Sequence, residues 1–266
     1  VAAKKRVIVL GARGVFGSLL ASELQRDYDV VPLTRGMAFD PRGAFAVACA
    51  AGPFQQLDRG LVRTTVDAGA HWLDIADDEM WFFDLIDDRA LDARARERGV
   101  AVIPGLSTLP ALSGALVRRL GAPPHVTLTL FIGNNNRKGV AAIASAAQSG
   151  NGPLRTPDRE LLRRELGIDA QAFVKFEIPV AAPLLRFLGR APRLAAAIAK
   201  PFRFGTRGGY VEARAGNRVE RIRGGDQRLA ILPLVFALAR LDDVRGCHAP
   251  SVFDAEELLR FVEARA

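Results

Sequence analysis

Cysteine and histidine are scarce in this chain: Cys49 and Cys247 are its two cysteines, and His71, His125 and His248 its three histidines. Two cysteines cannot build a disulfide framework, and no metal-type spacing joins them to the histidines. A reducing, cytoplasmic setting fits that usage. Long apolar runs are also lacking, since none approaches the ~18 residues of a membrane span. Lys4, Lys5 and Arg6 lead straight into a strand, so the N-terminus does not read as a signal peptide. The chain opens at Val1 without Met, which points to a trimmed or partly observed terminus. The GxSxG elbow, the GxxxxGK[ST] phosphate loop and any metal-ligand cluster are missing. Serine hydrolysis, NTP hydrolysis and metal catalysis therefore lack their parts. Lysine is rare as well, supplying five of the 37 basic residues. The net charge of +8 is thus almost entirely arginine, which suits phosphorylated or carboxylate ligands. Those arginines are spread along the chain without a recognised nucleic-acid motif, so no nucleic-acid partner is expected.

What is present describes an ordinary globular protein of one large or two modest domains: 266 residues, 49% hydrophobic and 25% charged. The most informative stretch is Val7 to Gly17, VIVLGARGVFG. Val7–Leu10 has the composition of a strand buried on both faces, and Gly11 ends it. Gly14 and Gly17 follow at intervals of three, and Ser18 to Asp27 continues with Leu19, Leu20 and Leu24 at helical spacing. Strand, glycine turn and helix in that order form a place where a diphosphate can approach backbone amides at a helix N-terminus. Gly11, Arg13, Gly14, Val15, Phe16 and Gly17 are therefore candidate cofactor-binding residues. The spacing is GxxGxxG rather than GxGxxG, so Arg13 stands where the common fingerprint has its second glycine. It reaches a phosphate or points into water.

Tyr28 to Leu33 reads as the second parallel strand, with Thr34 and Arg35 at its carboxyl end. An acidic residue there would bind ribose hydroxyls, whereas an arginine accommodates a 2′-phosphate, so Thr34 and Arg35 argue for NADP over NAD. Ala44 to Ala50 looks like a further buried strand. Only the eight residues 36–43 separate it from Arg35, too few for the usual crossover helix and strand. Either the connection is shortened or 36–43 conceals a missing loop. The strand then runs into CAAGPF, and Ala51, Gly52, Pro53 and Phe54 form a turn at the carboxyl edge of the sheet, where doubly wound folds bind ligands. Residues 55–68 read as helical, and Gly69–Ala76 as another short strand whose end carries Asp74.

GARGVFG after a strand, the CAAGPF turn, GAHWLDIADD and IPGLSTLP at 103–110 together resemble the saccharopine dehydrogenase-like group of NADP-binding oxidoreductases. The resemblance covers roughly residues 6–112. It implies a Rossmann domain with the glycine turn on the diphosphate, Gly52, Pro53 and Phe54 beside the nicotinamide, and Asp74 near the active-site cleft. It also implies a second α/β domain closing over the nicotinamide. The family name does not by itself specify saccharopine as substrate.

Met80 to Arg98 reads as one amphipathic helix stopped by Gly99, Val100–Ile103 as one more strand, and Leu109–Leu120 as a helix. His125–Ile132 alternates like a half-exposed strand. The polar loop 133–139, GNNNRKG, offers three asparagines with Arg137 and Lys138 as a carboxylate clamp, or collects turn residues for conformational reasons alone. Ala141–Gln148 is a small-residue helix, and 151–157 a linker or loop. The apolar, arginine-studded segment 178–205 lines a substrate entrance, touches a membrane surface, or packs as core or subunit interface; its four prolines favour packing. Tyr210–Ile222 reads as a hairpin turning at Gly216-Asn217. Arg228–Leu241 and Ser251–Ala266 read as helices, the last packing back on the first domain.

The expected architecture is α/β: a Rossmann-type doubly wound parallel sheet with a second α/β, mixed-sheet domain. The first domain spans 1–108 and is completed by 226–266; the second spans 109–225. The expected activity is NADP(H)-dependent hydride transfer to or from a small imine, carbonyl or enoyl substrate, with Asp74 as the candidate catalytic group. By pleat parity His71 faces away from Asp74 and reads as structural. Two alternatives stand beside this: Asp74 bonding a neighbouring loop, and an NADP-binding sensor or scaffold without turnover. A homodimer stays open.

Overall fold

The computed structural model describes residues 3–133, 135–136, 153–177 and 205–266. The chain divides into two compact units, Val1–Ala111 with Ala230–Asp254, and Leu112–Leu229 with Ala255–Ala266.

The first unit begins with β1 (Arg6–Leu10), whose apolar residues are all buried, and α1 (Val15–Leu24), which packs Leu20 and Leu24 into the same core. Burying each leucine is worth about 2 kcal/mol. There follow β2 (Asp29–Leu33), β3 (Ala46–Cys49), α2 (Gly60–Asp67), β4 (His71–Asp74), α3 (Glu79–Ile86), α4 (Arg89–Glu97) and β5 (Ala101–Ile103). The sheet order is β10-β5-β4-β3-β1-β2, with β10 at Gly246–Cys247, and every pairing is parallel. This is a Rossmann-type doubly wound sheet. β3 and β4 are fully buried, which is why their sequences carry contiguous apolar residues rather than alternation.

The connection from β2 to β3 is short. The twelve residues Thr34–Phe45 carry no helix, and β2 is the edge strand. Twelve extended residues reach about 40 Å, more than the roughly 27 Å needed to return along one strand and cross two strand spacings. Arg6 holds this return in place: its guanidinium donates to the Arg42 carbonyl at 3.2 Å and its own carbonyl accepts from Phe45 N at 2.8 Å.

Three expected helices are interrupted. The segment Met80–Arg98 is two helices, because the Asp88 carboxylate accepts from Ala90 N and Leu91 N, both at 3.0 Å, and starts α4 afresh. Leu109 precedes Pro110 and is extended (φ −122°, ψ 125°), so the helix expected from Leu109 is kinked there, a π-helical turn over Thr108–Leu112 leading into α5 (Ser113–Arg119). Within Arg228–Leu241 a 3₁₀ turn, Gln227–Ala230, precedes α7 (Leu232–Leu238). Pro233 sits in the first turn of α7, where its missing N–H costs nothing.

The second unit contains α5 and a four-stranded mixed sheet in the order β7-β6-β8-β9. β6 (His125–Ile132) pairs parallel with β7 (Asp169–Phe176) and antiparallel with β8 (Gly209–Ala215); α6 (Asp158–Leu166) precedes β7. The hairpin from β8 to β9 (Arg218–Gly224) turns at Gly216-Asn217 as expected, with Gly216 at φ +57°. One face of the sheet is apolar in register, Leu128 lying between Ala172 and Ala213, and Val211 opposite Ile222.

The terminal helix α8 (Ala255–Glu263) belongs to this second unit and not, as expected, to the first. Its buried Leu258, Leu259 and Val262 face inward, and Arg119 of α5 forks onto Glu256 (3.0 Å twice) and reaches Glu263 (2.6 Å). Amphipathicity marks a helix for burial but not which core receives it.

Candidate functional site

The order of strands reverses between β1 and β3, and open α/β sheets bind ligands at the carboxyl ends beside such a switch point. The glycine turn lies there. Gly11 has φ +78°, and a β-carbon on it would fall 2.8 Å from the Ala50 carbonyl oxygen and from Ala51 Cα. A β-carbon on Gly17 would overlap the Gly11 carbonyl oxygen, so this glycine lets helix and strand pack. Gly14 is different: it is exposed, is the N-cap of α1, and has only the Gly11 oxygen near its missing side chain, at 3.1 Å. Two glycines thus serve packing, and the middle one leaves space.

That space opens on the amides of Val15, Phe16 and Gly17, which begin α1 and have no acceptor within the helix. No side chain caps them, and the first turn has no acidic residue. Phe16 packs against the core, so its amide rather than its ring serves the turn. Helix dipole and free donors together favour an anion.

At the end of β2, Thr34 and Met37 close a turn, Met37 N donating to the Thr34 carbonyl at 3.1 Å with Gly36 at φ +89°. Arg35 is exposed in this turn and has no side-chain partner among the described residues; Arg13 is in the same condition. The turn and the glycine loop are bonded together, since Gly11 N (3.1 Å) and Ala12 N (3.3 Å) both donate to the Leu33 carbonyl.

Ala51, Gly52 and Pro53 leave β3 beside Gly11, half-buried or exposed, through a cis Gly52-Pro53 bond. Phe54 is the exception among the expected cofactor residues. Its ring is buried against Trp81, with centroids 5.6 Å apart, and so belongs to the core.

Asp74, the expected catalytic group, is sealed. Its carboxylate has no exposure and accepts four hydrogen bonds: from Trp72 Nε1 (2.9 Å), Trp81 Nε1 (2.8 Å), Ala76 N (3.0 Å) and Gly105 N (3.0 Å). Burial pushes its pKa up, and the four donors offset part of that rise. A carboxylate surrounded in this way joins the ends of β4 and β5 and cannot exchange protons with a substrate. His71 is structural as expected: its Nδ1 accepts from Ala101 N at 3.0 Å, and burial, then the charges of Arg245 and Lys5, lower its pKa to about 4. Burial likewise pushes the Cys49 thiol up and that of Cys247 up to about 12, so neither is a thiolate nucleophile.

The sequence reading passed over Asp77, three residues beyond the buried Asp74. Its side chain is exposed at the exit of β4, whereas Asp78 is occupied in capping α3 through Trp81 N and accepting from Gln55. Burial among protein atoms, and then the charge of Asp78, raise the Asp77 carboxyl above the usual range, and a hydrogen bond from its own amide offsets part of that rise. The signal was available: in a strand exit reading DIADD, two acids lie beyond the strand, and the second, Asp78, is the one placed to cap the next helix.

Gly133, Asn135 and Asn136 bond to Thr206 and Gly208, which favours the conformational reading of that loop. Arg137, Lys138, the segment 141–148 and residues 178–204 of the apolar segment lie outside the described residues. Among the described residues no three His, Cys, Asp or Glu side chains converge as metal ligands, and no helix is long and apolar enough to cross a membrane.

No protein-family model and no curated protein matches this chain. Solved structures do share its fold. An engineered D-amino acid dehydrogenase bound to NADP+ superposes with a TM-score of 0.52 over 99% of both chains at 11% identity. A mutant of meso-dapdh from Clostridium tetani E88, with DAP, gives a TM-score of 0.52 over 96% of both chains at 10% identity. At such identity the likeness is one of fold.

Proposed function

We propose that this chain is an NADP(H)-dependent oxidoreductase that transfers hydride between the nicotinamide and a small imine, carbonyl or enoyl substrate. The observation that carries the reading is the open glycine turn at the switch point, with the uncapped start of α1 on one side and Arg35, unpaired among the described residues, on the other. The fold it shares with a D-amino acid dehydrogenase bound to NADP+ supports the same reading. The saccharopine dehydrogenase-like type is the finer form of this proposal.

The residues fit the cofactor. The amides of Val15, Phe16 and Gly17 would hold the diphosphate, Gly14 leaves room for it, and Arg35, exposed at the end of β2, would serve the adenosine end. The bound nicotinamide supplies hydride chemistry, and the protein supplies position and a proton path. Ala51–Pro53 leave the same sheet edge and would bound the cofactor's other half. Asp77 replaces Asp74 as the carboxylate able to hold or release a proton. Amino acids and their imines head the substrate screen, because one structure sharing this fold is a D-amino acid dehydrogenase.

Calorimetric titration with NADPH and NADH tests the reading first, followed by NADPH oxidation against imines, carbonyls and enoyl compounds. Micromolar NADPH binding and turnover of one class support it. Binding without turnover of any class favours the sensor alternative, and no binding of either nucleotide rejects both.

A further inference from the structure

We infer that β9, an edge of the second unit's four-stranded sheet, is a docking strand for an extended acidic segment of a partner protein, which adds to the sheet as a further strand. The inference goes beyond the cofactor site and does not depend on it. Residues 219–223 line a surface groove of about 730 Å³, together with Arg214 of β8 and Glu263 of α8. Successive side chains of a strand point to opposite faces. Consecutive residues therefore share one groove where it runs along the strand's edge, over the backbone itself. Five residues of strand extend about 17 Å, room for a short extended peptide.

The outer backbone of β9 has no partner among the described residues. In a hairpin with a two-residue loop, the residues flanking the loop form a bonded pair, and bonded pairs alternate along the ladder from there. Counted from Ala215↔Arg218, this leaves the N–H and C=O groups of Val219, Arg221 and Arg223 pointing away from β8. No proline or bulge interrupts the strand, whose register with β8 runs unbroken to Gly209↔Gly224. Other edges are guarded. β2 carries Pro32, and on β7 the Ala172 carbonyl accepts from Leu154 N at 2.7 Å.

Charge selects the occupant. Val219, Arg221 and Arg223 share one face of the sheet with Arg214, and the buried Glu212 accepts from Arg214 (3.1 Å) and Arg221 (2.8 Å). Arg221 also lies over the Tyr210 ring, 4.4 Å from its centroid, and Tyr210 stacks on Phe131. One carboxylate thus fixes two cations, and the exposed Arg223 adds a third. Glu220 is on the other face, and Glu263 is taken by Arg119. A segment with carboxylates at alternate positions answers this face. A second copy does not: antiparallel pairing of all of β9 with itself sets Arg221 against Arg221 and Val219 against Arg223.

The test is fluorescence anisotropy of a labelled heptapeptide of alternating Glu and Val, titrated with the full chain and with its Arg223→Glu and Val219→Pro variants. Control peptides are an alternating Lys-Val heptapeptide and the Glu-Val peptide with a central proline; thermal melts control for folding. Binding of the Glu-Val peptide should weaken about 3- to 10-fold in Arg223→Glu, through charge, and about 5- to 10-fold in Val219→Pro, through the lost donor. Both control peptides should bind at least about tenfold more weakly than the Glu-Val peptide. Bound peptide should slow amide exchange at Val219, Arg221 and Arg223 and leave Glu220 and Ile222, whose amides face β8, unchanged. If Val219→Pro melts early, the proline peptide puts the same question to the unaltered protein. Equal binding of the proline peptide, or no selective protection of those three amides, would overturn strand addition. Equal binding of the Lys-Val peptide would overturn the acidic partner. A dimer of the peptide-free chain that Val219→Pro splits would give the edge to a second copy instead, and no binding of any peptide at about 1 mM would reject the docking strand altogether.

Discussion

The carbonyl oxygen of Gly11 occupies the place where the β-carbon of any larger residue at position 17 would stand. One oxygen thereby fixes how closely α1 approaches β1. Gly17→Ala should destabilise the first unit by about 1–3 kcal/mol through overpacking. Gly14→Ala, whose β-carbon meets only the Gly11 oxygen at 3.1 Å, should cost no more than about 1 kcal/mol yet abolish dinucleotide binding. Denaturant melts and NADPH titrations of the two variants check this; a Gly14→Ala protein that binds normally would mean the turn holds no phosphate.

Asp74 should behave as a structural residue. In Asp74→Asn one carboxylate oxygen becomes an NH₂ group facing N–H donors, since all four partners donate. The variant should lose about 2–4 kcal/mol of stability. An Asp74→Asn protein that melts like wild type but has lost turnover would restore the catalytic assignment. Asp77→Asn should do the reverse, melting within about 0.5 kcal/mol of wild type while slowing any proton-coupled step.

His71 gives stability a defined pH dependence. Its folded pKa, about 4, lies below the ordinary value of 6.5. Below pH 6.5 the unfolded chain takes up a proton that the folded chain refuses, so stability present above 6.5 is lost as pH falls toward 4. The loss should approach about 3 kcal/mol. Urea melts from pH 7 to 4 measure it, and a His71→Gln variant should flatten the slope; an unchanged slope would assign it to the carboxylates.

The terminal helix should loosen when its anchor is removed. Arg119→Ala cuts the contacts to Glu256 and Glu263 and should cost about 1 kcal/mol, since both acids are partly exposed. Hydrogen exchange along 255–263 should rise in this variant while exchange in β1 and β3 stays put. Equal protection in both proteins would show that Leu258, Leu259 and Val262 suffice.

Sequence by itself determined those features whose physics is local. A glycine trio between an apolar run and a helical repeat specifies the strand, turn and helix around Gly11. Contiguous apolar residues mark β3 as buried on both faces, and Gly216-Asn217 marks the β8–β9 turn. An arginine just past β2 is legible for the same reason, because a strand end positions it. Tertiary structure decided whatever depends on partners distant in the chain. Asp74 is sealed because Gly105, 31 residues further on, and Trp81 of α3 fold back to join its neighbours Trp72 and Ala76 as donors, and no local pattern records that return. The split at Asp88 turned on a side chain outcompeting a helix it could equally have decorated. The terminal helix carries the same apolar stripe whichever core takes it, and its place follows from what the second unit offers: a core for Leu258, Leu259 and Val262, and Arg119 for Glu256 and Glu263.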